Sequence, residues 1–430
     1  MPRDMAAITR VTVLGGNGTM GSGAGALLAL AGIPTTLVAR SRDKAEAGRA
    51  RAIALSRGAL ARDAIALGTY DDPCAIGDAD LVLEAVAEDR DVKREVLAMI
   101  DRARAPGAIV ATVTSGLSIA ALCADASDGL RRHFLGVHLF NPPTAIRGCE
   151  LIPHRGTDPA VVARVRELLE TTLGRVVVAC SDTPGFAGNR IGFKLLNEVA
   201  QLAEQHGVAY MDQLLGTHTG RALPPLATID LVGWDVHQAI CDHLWHSTCD
   251  EGHASFALPP YVRQGIARGH LGRKTRDRGG FYRVEGDRRL VLDPATGGYQ
   301  PLELAPLPPL VERMAAAVRS GRHGDALDAL CTADGHDAEV LRGVVLGHIS
   351  YAFGRVGEVV DHARDIDRIM AAGFHWAPPG MLVDAIGAPR VVRMLERGGW
   401  AVPPVLDVAA RAGLRLHDGD AEPARFFVAA

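Results

Sequence analysis

Residues 11–21 read VTVLGGNGTMG, and this stretch decides the fold of the first part of the chain. Val11, Val13 and Leu14 make a short apolar run of the kind a parallel sheet buries on both faces. Gly16, Gly18 and Gly21 then hold the spacing GxGxxG. The first glycine is expected to allow a tight turn, the second to let a pyrophosphate approach the backbone, and the third to let helix pack on strand. With Thr19 and Met20 they form a candidate phosphate loop. Residues 24–31 continue as helix, Gly32-Ile33-Pro34 turns the chain, and residues 35–39 supply a second strand. Alone a GxGxxG says little; in the order strand, loop, helix, strand it indicates a dinucleotide site.

The second strand ends in Ala39-Arg40-Ser41-Arg42, with no carboxylate where an NAD site usually carries one for the ribose hydroxyls. Arg40, Ser41 and Arg42 are therefore candidate contacts to a 2′-phosphate. The bland alternative is that both arginines are solvated charges in an arginine-rich chain.

Further along, residues 80–86 and 108–113 read as buried strands, with a helix carrying Lys93 between them. Ser115 lies just past the second of these, at a strand end where such sheets bind ligands. Ser118 reads as the cap of a helix starting at Ile119. Residues 136–140 form the next strand, residues 159–173 an amphipathic helix, and residues 175–180 a final strand. The alternation predicts a doubly wound, Rossmann-like α/β domain over residues 1–181.

Within that domain residues 136–153 read GVHLFNPPTAIRGCELIP. His138 follows an apolar run, Asn141 comes three residues on, and Glu150 sits among Cys149, Leu151 and Ile152. A carboxylate in apolar surroundings needs a partner, and an imidazole held by one can act as a general base near neutral pH. A core histidine beside an unrelated surface acid is the plain alternative.

After residue 182 only helical periodicity remains. Residues 189–204 form one long helix with Ile191, Leu195, Val199 and Leu202 on one face. Met211-Asp212, Pro224-Pro225 and Asp230-Leu231-Val232-Gly233 are echoed by Ile366-Asp367, Pro378 and Asp384-Ala385-Ile386-Gly387, and a helix with a Glu-Val pair (Glu198-Val199, Glu358-Val359) is expected before each. This grammar predicts a duplicated all-helical unit. The expected boundaries are 182–290 for the first copy, 291–334 for a linker marked by Gly- and Pro-rich sequence, and 335–430 for a second, degenerate copy.

The chain has 430 residues, 48% hydrophobic and 22% charged, with net charge −4. That leaves room for two or three domains and gives no basis for a nucleic-acid or membrane partner. Seven scattered cysteines form no CxxC or metal-ligand spacing, which predicts reduced thiols, no metal and a cytoplasmic location. The start MPRDMAAITR lacks the apolar core of a signal peptide.

Assembled, these pieces resemble the 3-hydroxyacyl-CoA dehydrogenases, and most closely the dehydrogenase portion of the fused bacterial dehydrogenase/enoyl-CoA hydratases of fatty-acid β-oxidation. The stretches that carry the likeness are VLGGNGTMGSG, EAVAEDRDVK, TSGLS, GVHLFNPP with ELIP, DTPGFAGNRIG, GRKTRDRGGFY, LDPATGGY and DIDRIMAAGFHWAPP. The resemblance implies that His138 is the catalytic base and Glu150 the acid that orients and charges it. It implies that Ser115 and Asn189 hydrogen-bond the substrate's C3 oxygen, that Asn141 stands beside the histidine, and that Glu88 and Lys93 lie near the cofactor. The substrate would be an acyl-CoA or acyl-carrier thioester. Only the dehydrogenase half-reaction is expected, because the chain ends before a hydratase module would start. The duplicated helical unit would cover its own apolar face as an internal pseudo-dimer, the chain being a monomer or homodimer.

Three departures from the family pattern stand out: Ala39 in place of the ribose-binding acid, Val113 where an asparagine usually precedes the catalytic serine, and Thr144-Ala145-Ile146-Arg147-Gly148 after the Pro-Pro pair. The cofactor is NAD or NADP. NAD is the family default, while Ala39 with Arg40 and Arg42 tips the reading to NADP. Two rival readings are a β-hydroxyacid dehydrogenase using Lys194, with Asn197, on the long helix, and a non-catalytic dinucleotide sensor.

Overall fold

The computed structural model describes residues 7–72, 74–303, 306–419 and 423–428. They fall into two compact units, Met1–Phe186 and Ala187–Ala430.

The first unit is built on an eight-stranded sheet: β1 (Val11–Leu14), β2 (Thr35–Ala39), β3 (Ile65–Thr69), β4 (Leu81–Glu84), β5 (Ile109–Thr112), β6 (Phe134–Leu139), β7 (Gly148–Pro153) and β8 (Val176–Ala179). Their order is β3-β2-β1-β4-β5-β6-β7-β8. The first six run parallel, as the doubly wound pattern predicts, but β7 pairs antiparallel to β6 and β8 runs parallel to β7. Every residue of β1, β4 and β5 is buried, the mark of strands covered by helices on both faces. Leu27 and Leu28 of the helix Thr19–Leu30, with Val161, Val165 and Leu168 farther along, pack against Val13, Leu83, Val137 and Leu151 of the sheet.

The glycine loop differs in detail from its sequence reading. The left-handed residue of the turn is Gly15, at φ 73°, and not Gly16. A Cβ at Gly21 would stand 2.4 Å from the Gly15 carbonyl oxygen, so the third glycine is required by close approach of helix to loop. The first unit also extends past residue 181. Asp182 accepts hydrogen bonds from the backbone N–H of Ile119 and Ala120, 2.8 Å each, and from the Ser118 hydroxyl at 2.9 Å. Those bonds tie the 182–186 turn to the sheet domain. Ser118 also caps its own helix through the Ala121 N–H.

In the second unit two sets of helices follow one order. The first is Gly188–His206, Val208–Leu214, Pro225–Val232 and Trp234–Ser247; the second is His336–Gly354, Ala363–Ile369, Pro379–Ile386 and Ala388–Gly398. Each set has a left-handed residue before its third helix (Gly220, φ 85°; His375, φ 55°) and a left-handed glycine before its fourth (Gly233, φ 100°; Gly387, φ 93°). Arg221 and Trp376, the residues after the first pair, face each other in an isolated antiparallel bridge. Asp212 accepts from the Leu226 N–H at 2.8 Å, and Asp367 from the Gly380 N–H at 2.7 Å. Asp230 accepts from the N–H groups of Phe281 and Tyr282, and Asp384 from those of Leu416 and His417.

The Glu-Val pairing of the sequence reading is corrected by these landmarks. The helix His336–Gly354 ends before Glu358 and Val359, which lie in the following turn, whereas Glu198 and Val199 are inside theirs. The expected linker 291–334 is also far from featureless. A small antiparallel sheet joins β9 (Tyr282–Glu285), β10 (Arg288–Leu292) and β11 (Tyr299–Pro301). Two helices, Pro309–Arg319 and His323–Thr332, then bury Leu310, Val311, Met314, Leu327 and Leu330. Glycines and prolines here punctuate short elements and do not mark a tether.

Candidate active site

The antiparallel turn from β6 to β7 sets the site. The eight residues 140–147 between the strands bring Glu150 back directly opposite His138 in the strand register. On one face of such a pair the side chains of opposed residues touch. His138 Nδ1 and Glu150 Oε2 are 2.6 Å apart; the histidine is 4% exposed and the glutamate 0%. An ionised carboxylate only accepts, so Nδ1 carries the proton and Nε2 is left as the basic nitrogen. The Cys180 thiol lies 3.4 Å from Glu150 Oε1. The rings of Phe140 and Phe186 stand 4.8 and 5.8 Å from the imidazole, giving it an apolar setting. Burial and the neighbouring Glu150 charge push the Cys149 thiol up, so it stays protonated.

Beside this pair the ends of β4 and β5 carry a buried polar network that the sequence reading did not identify. Glu84, fully buried, accepts from the Lys93 ammonium at 2.9 and 3.1 Å, the Thr112 hydroxyl at 2.6 Å and the Val86 N–H at 2.7 Å. Lys93 also reaches Glu88 at 3.4 Å. Glu88 in turn accepts from the Thr114 hydroxyl at 2.5 Å and the Ser115 N–H at 2.8 Å. Thr114 accepts the Leu117 N–H at 3.0 Å. Lys93, assigned to the cofactor by resemblance, is thus sunk beneath the strand ends, where it fixes two carboxylates. Glu88 holds the turn that presents Ser115, which is partly exposed. The signal for the network was an acid at a strand end and a lysine on the next helix.

The glycine loop fits a dinucleotide. Gly18 N–H donates to the Gly15 carbonyl at 2.9 Å, folding the chain tightly ahead of the helix Thr19–Leu30. That helix has no side-chain N-cap and no acid in its first turn, leaving N–H groups and a positive dipole end for an anion. Arg51 donates to the Asn17 carbonyl at 2.5 Å and braces the loop. At the end of β2 the three candidates separate. Arg42 donates to the Leu67 carbonyl at 3.2 Å, and Ser41 accepts the Lys44 N–H at 3.3 Å as a helix cap. Arg40 is exposed, and Ala39 is fully buried.

Asn141 is exposed just after β6, ahead of a cis peptide to Pro142. Asn189 belongs to the second unit, as the second residue of the helix Gly188–His206, and is 5% exposed. Its neighbour Arg190 is bonded to Asp250 and Glu358 and to the Tyr351 hydroxyl. Lys194, the rival base, pairs with Glu198 at 3.0 Å. Asn197 donates to the Ser255 and Ala257 carbonyls and accepts from His237. Both are buried within the second unit. Among the described residues no cluster of three or more metal-ligating side chains occurs, and no helix is long and apolar enough to cross a membrane.

Residues 10–183 match the family described as 3-hydroxyacyl-CoA dehydrogenase, NAD binding domain, and residues 185–283 match its C-terminal domain. A probable 3-hydroxyacyl-CoA dehydrogenase of Bacillus subtilis is 29% identical over 426 residues, covering 92% of this chain and 53% of the relative. The chain therefore spans about half the length of that relative. A 3-hydroxybutyryl-CoA dehydrogenase of Mycobacterium tuberculosis is 34% identical over 289 residues, covering 64% of this chain and 98% of the relative. The crystal structure of 3-hydroxybutyryl-CoA dehydrogenase from Escherichia coli superposes with a TM-score of 0.71 over 95% of this chain and 99% of that one; at 21% identity it bears on the fold alone. By these matches, with a buried histidine–glutamate pair and a glycine loop in one sheet domain, the chain belongs to the 3-hydroxyacyl-CoA dehydrogenase family.

Proposed function

We propose that the chain interconverts 3-hydroxyacyl and 3-ketoacyl thioesters, CoA esters foremost, with His138 as acid/base. The observation that supports this best is the 2.6 Å bond between His138 and a fully buried Glu150. A nicotinamide dinucleotide, when bound, supplies the hydride acceptor for the alcohol or the donor for the ketone. The residues fitted to hold it are the backbone of Gly16, Gly18, Thr19, Met20 and Gly21 at the helix N-terminus.

In the oxidation, His138 Nε2 takes the proton of the 3-hydroxyl as the C3 carbonyl forms, and Glu150 balances the imidazolium charge. In the reduction the imidazolium returns that proton to the C3 oxygen. Ser115, presented by the Glu88-braced turn, hydrogen-bonds the same oxygen and aligns it. For Asn189 and Asn141 the support is the family resemblance of their segments. The cofactor reading tips to NADP through Arg40, since Arg42 is engaged with Leu67; NAD remains the alternative carrier. The repeated helical sets are read as a duplicated unit, the second copy serving as an internal partner of the first.

The test is a matrix of 3-ketoacyl-CoA and acyl-carrier thioesters of several chain lengths against NADH and NADPH, followed at 340 nm. Turnover of at least one thioester supports the reading. Dinucleotide binding with no absorbance change for any thioester would favour the sensor.

A further inference from the structure

The two helical sets of the second unit follow one plan closely enough to be compared position by position, and they differ at the buried start of the fourth helix. In the first set the fourth helix opens with Trp234, fully buried, its ring 4.6 Å from that of Phe281 and its indole N–H donating to Asp230 Oδ1 at 2.7 Å. Gly265 and Gly280 line its two sides; a Cβ on either would stand 2.6 and 2.7 Å from the indole. In the second set the fourth helix opens with Ala388, and the residue in the place of Phe281 is Leu416.

Nothing comparable to the indole fills the second set among the described residues. A cavity of about 520 Å³ opens there, walled by Asp384, Ala385, Ala388, Pro389, Leu414 and His417. Two polar groups face unequal fates in the two sets. Asp230 Oδ1 accepts both the indole N–H and the Phe281 N–H, whereas the corresponding Asp384 Oδ1 accepts the Leu416 N–H at 2.9 Å. The second is His417, which takes the place of Tyr282. Its Nδ1 bonds Asp367 at 2.6 Å, as the Tyr282 hydroxyl bonds Asp212 at 2.9 Å. Its Nε2 is buried and has no hydrogen-bond partner among the described residues. That burial sets the Nε2 atom back from the cavity, so Asp384 is the polar group of the pair with a counterpart for the indole N–H.

We propose that this cavity is a binding site for a planar aromatic heterocycle bearing a ring N–H, with indole as the simplest member of the class. The ring would lie against Ala388 and Leu414 where Trp234 lies in the first set. Its N–H would donate to Asp384, as the Trp234 indole donates to Asp230. Every lining residue belongs to the second unit, and the proposal does not rest on the dehydrogenase reading.

The test uses the whole chain and free indole as probe. Indole should raise the thermal midpoint saturably and give a binding isotherm by calorimetry. A388W should raise the midpoint without ligand and abolish the response to indole. 1-Methylindole, which cannot donate, should bind the wild-type chain about tenfold more weakly, the worth of one hydrogen bond. Should A388W fold poorly, the indole and 1-methylindole comparison decides by itself. Absence of saturable indole binding, equal affinity for 1-methylindole, or a folded A388W that responds as the wild type does would each overturn the proposal.

Discussion

Glu150 stands directly across the β6–β7 ladder from His138, with 2.6 Å between carboxylate and imidazole. Glu150→Gln keeps the size and an acceptor oxygen but removes the charge that balances the imidazolium. It should lower kcat by about a hundredfold, within the range acid–base catalysis contributes, while dinucleotide affinity stays near wild type. Equal loss of affinity and turnover would instead mean that Glu150 holds up the fold of the site.

The Glu84–Lys93 pair gives a stability prediction. Lys93→Met leaves a buried carboxylate without its cation and should cost about 3–5 kcal/mol in urea unfolding. The double variant Glu84→Gln, Lys93→Met removes the stranded charge and should recover a good part of that loss. A single variant as stable as wild type would contradict the burial of this pair.

The sheet domain was legible where burial makes sequence monotonous. Strands β1 and β4, apolar throughout but for a polar residue each, announce themselves; β3, with Gly68 near its end, and β7, with Glu150 in its middle, do not. His138 and Glu150 were recognisable as a pair by resemblance, but the antiparallel register that joins them is a tertiary fact. The Glu84 network was equally hidden, because an acid at a strand end and a lysine nine residues on become partners only once strand and helix pack. In the second unit the aspartates of the repeat stood out, while the helices inside 291–334 were masked by the Gly- and Pro-rich stretch ahead of them.

Acid should loosen the second unit first. Burial lowers His218 to about 4 and His237 to about 3, so both are neutral in the folded chain. The unfolded chain protonates them near pH 6.5, so it binds more protons than the folded one between that value and the folded pKa. Their stabilising contribution is full above about pH 6.5 and is lost as pH falls toward the folded values. Unfolding free energy measured at pH 7, 6 and 5 should fall, and His237→Gln should flatten that slope by up to about 1.4 kcal/mol per pH unit. An unchanged slope would show that His237 is not held neutral.

Truncation after residue 334 tests the duplicated-unit reading. It removes Tyr351 and Glu358 from Arg190, and Phe374, whose ring would stand 2.3 Å from a Cβ on Gly192. The bared helix should aggregate or dimerise in light scattering after size exclusion. A monomeric fragment of unchanged thermal midpoint would contradict the internal-partner role.

For the cofactor, Arg40 and Arg42 are both exposed, and Arg42 donates to the Leu67 carbonyl at 3.2 Å. NADPH should exceed NADH in kcat/KM by about tenfold or more, as one charge-assisted arginine–phosphate contact would give. Arg40→Ala should erase most of that gap and Arg42→Ala much less. A clear NADH preference untouched by Arg40→Ala would return the site to the family default.

The central claim is that His138 moves the proton of the C3 alcohol, and one paired measurement tests it most directly. Reduction of acetoacetyl-CoA is followed at 340 nm in wild type and His138→Ala, with dinucleotide binding titrated on the same samples. The account predicts turnover in the wild type and a loss of about two to four orders of magnitude in the variant, with dinucleotide affinity retained. A variant that turns over at the wild-type rate at pH 7 would contradict it.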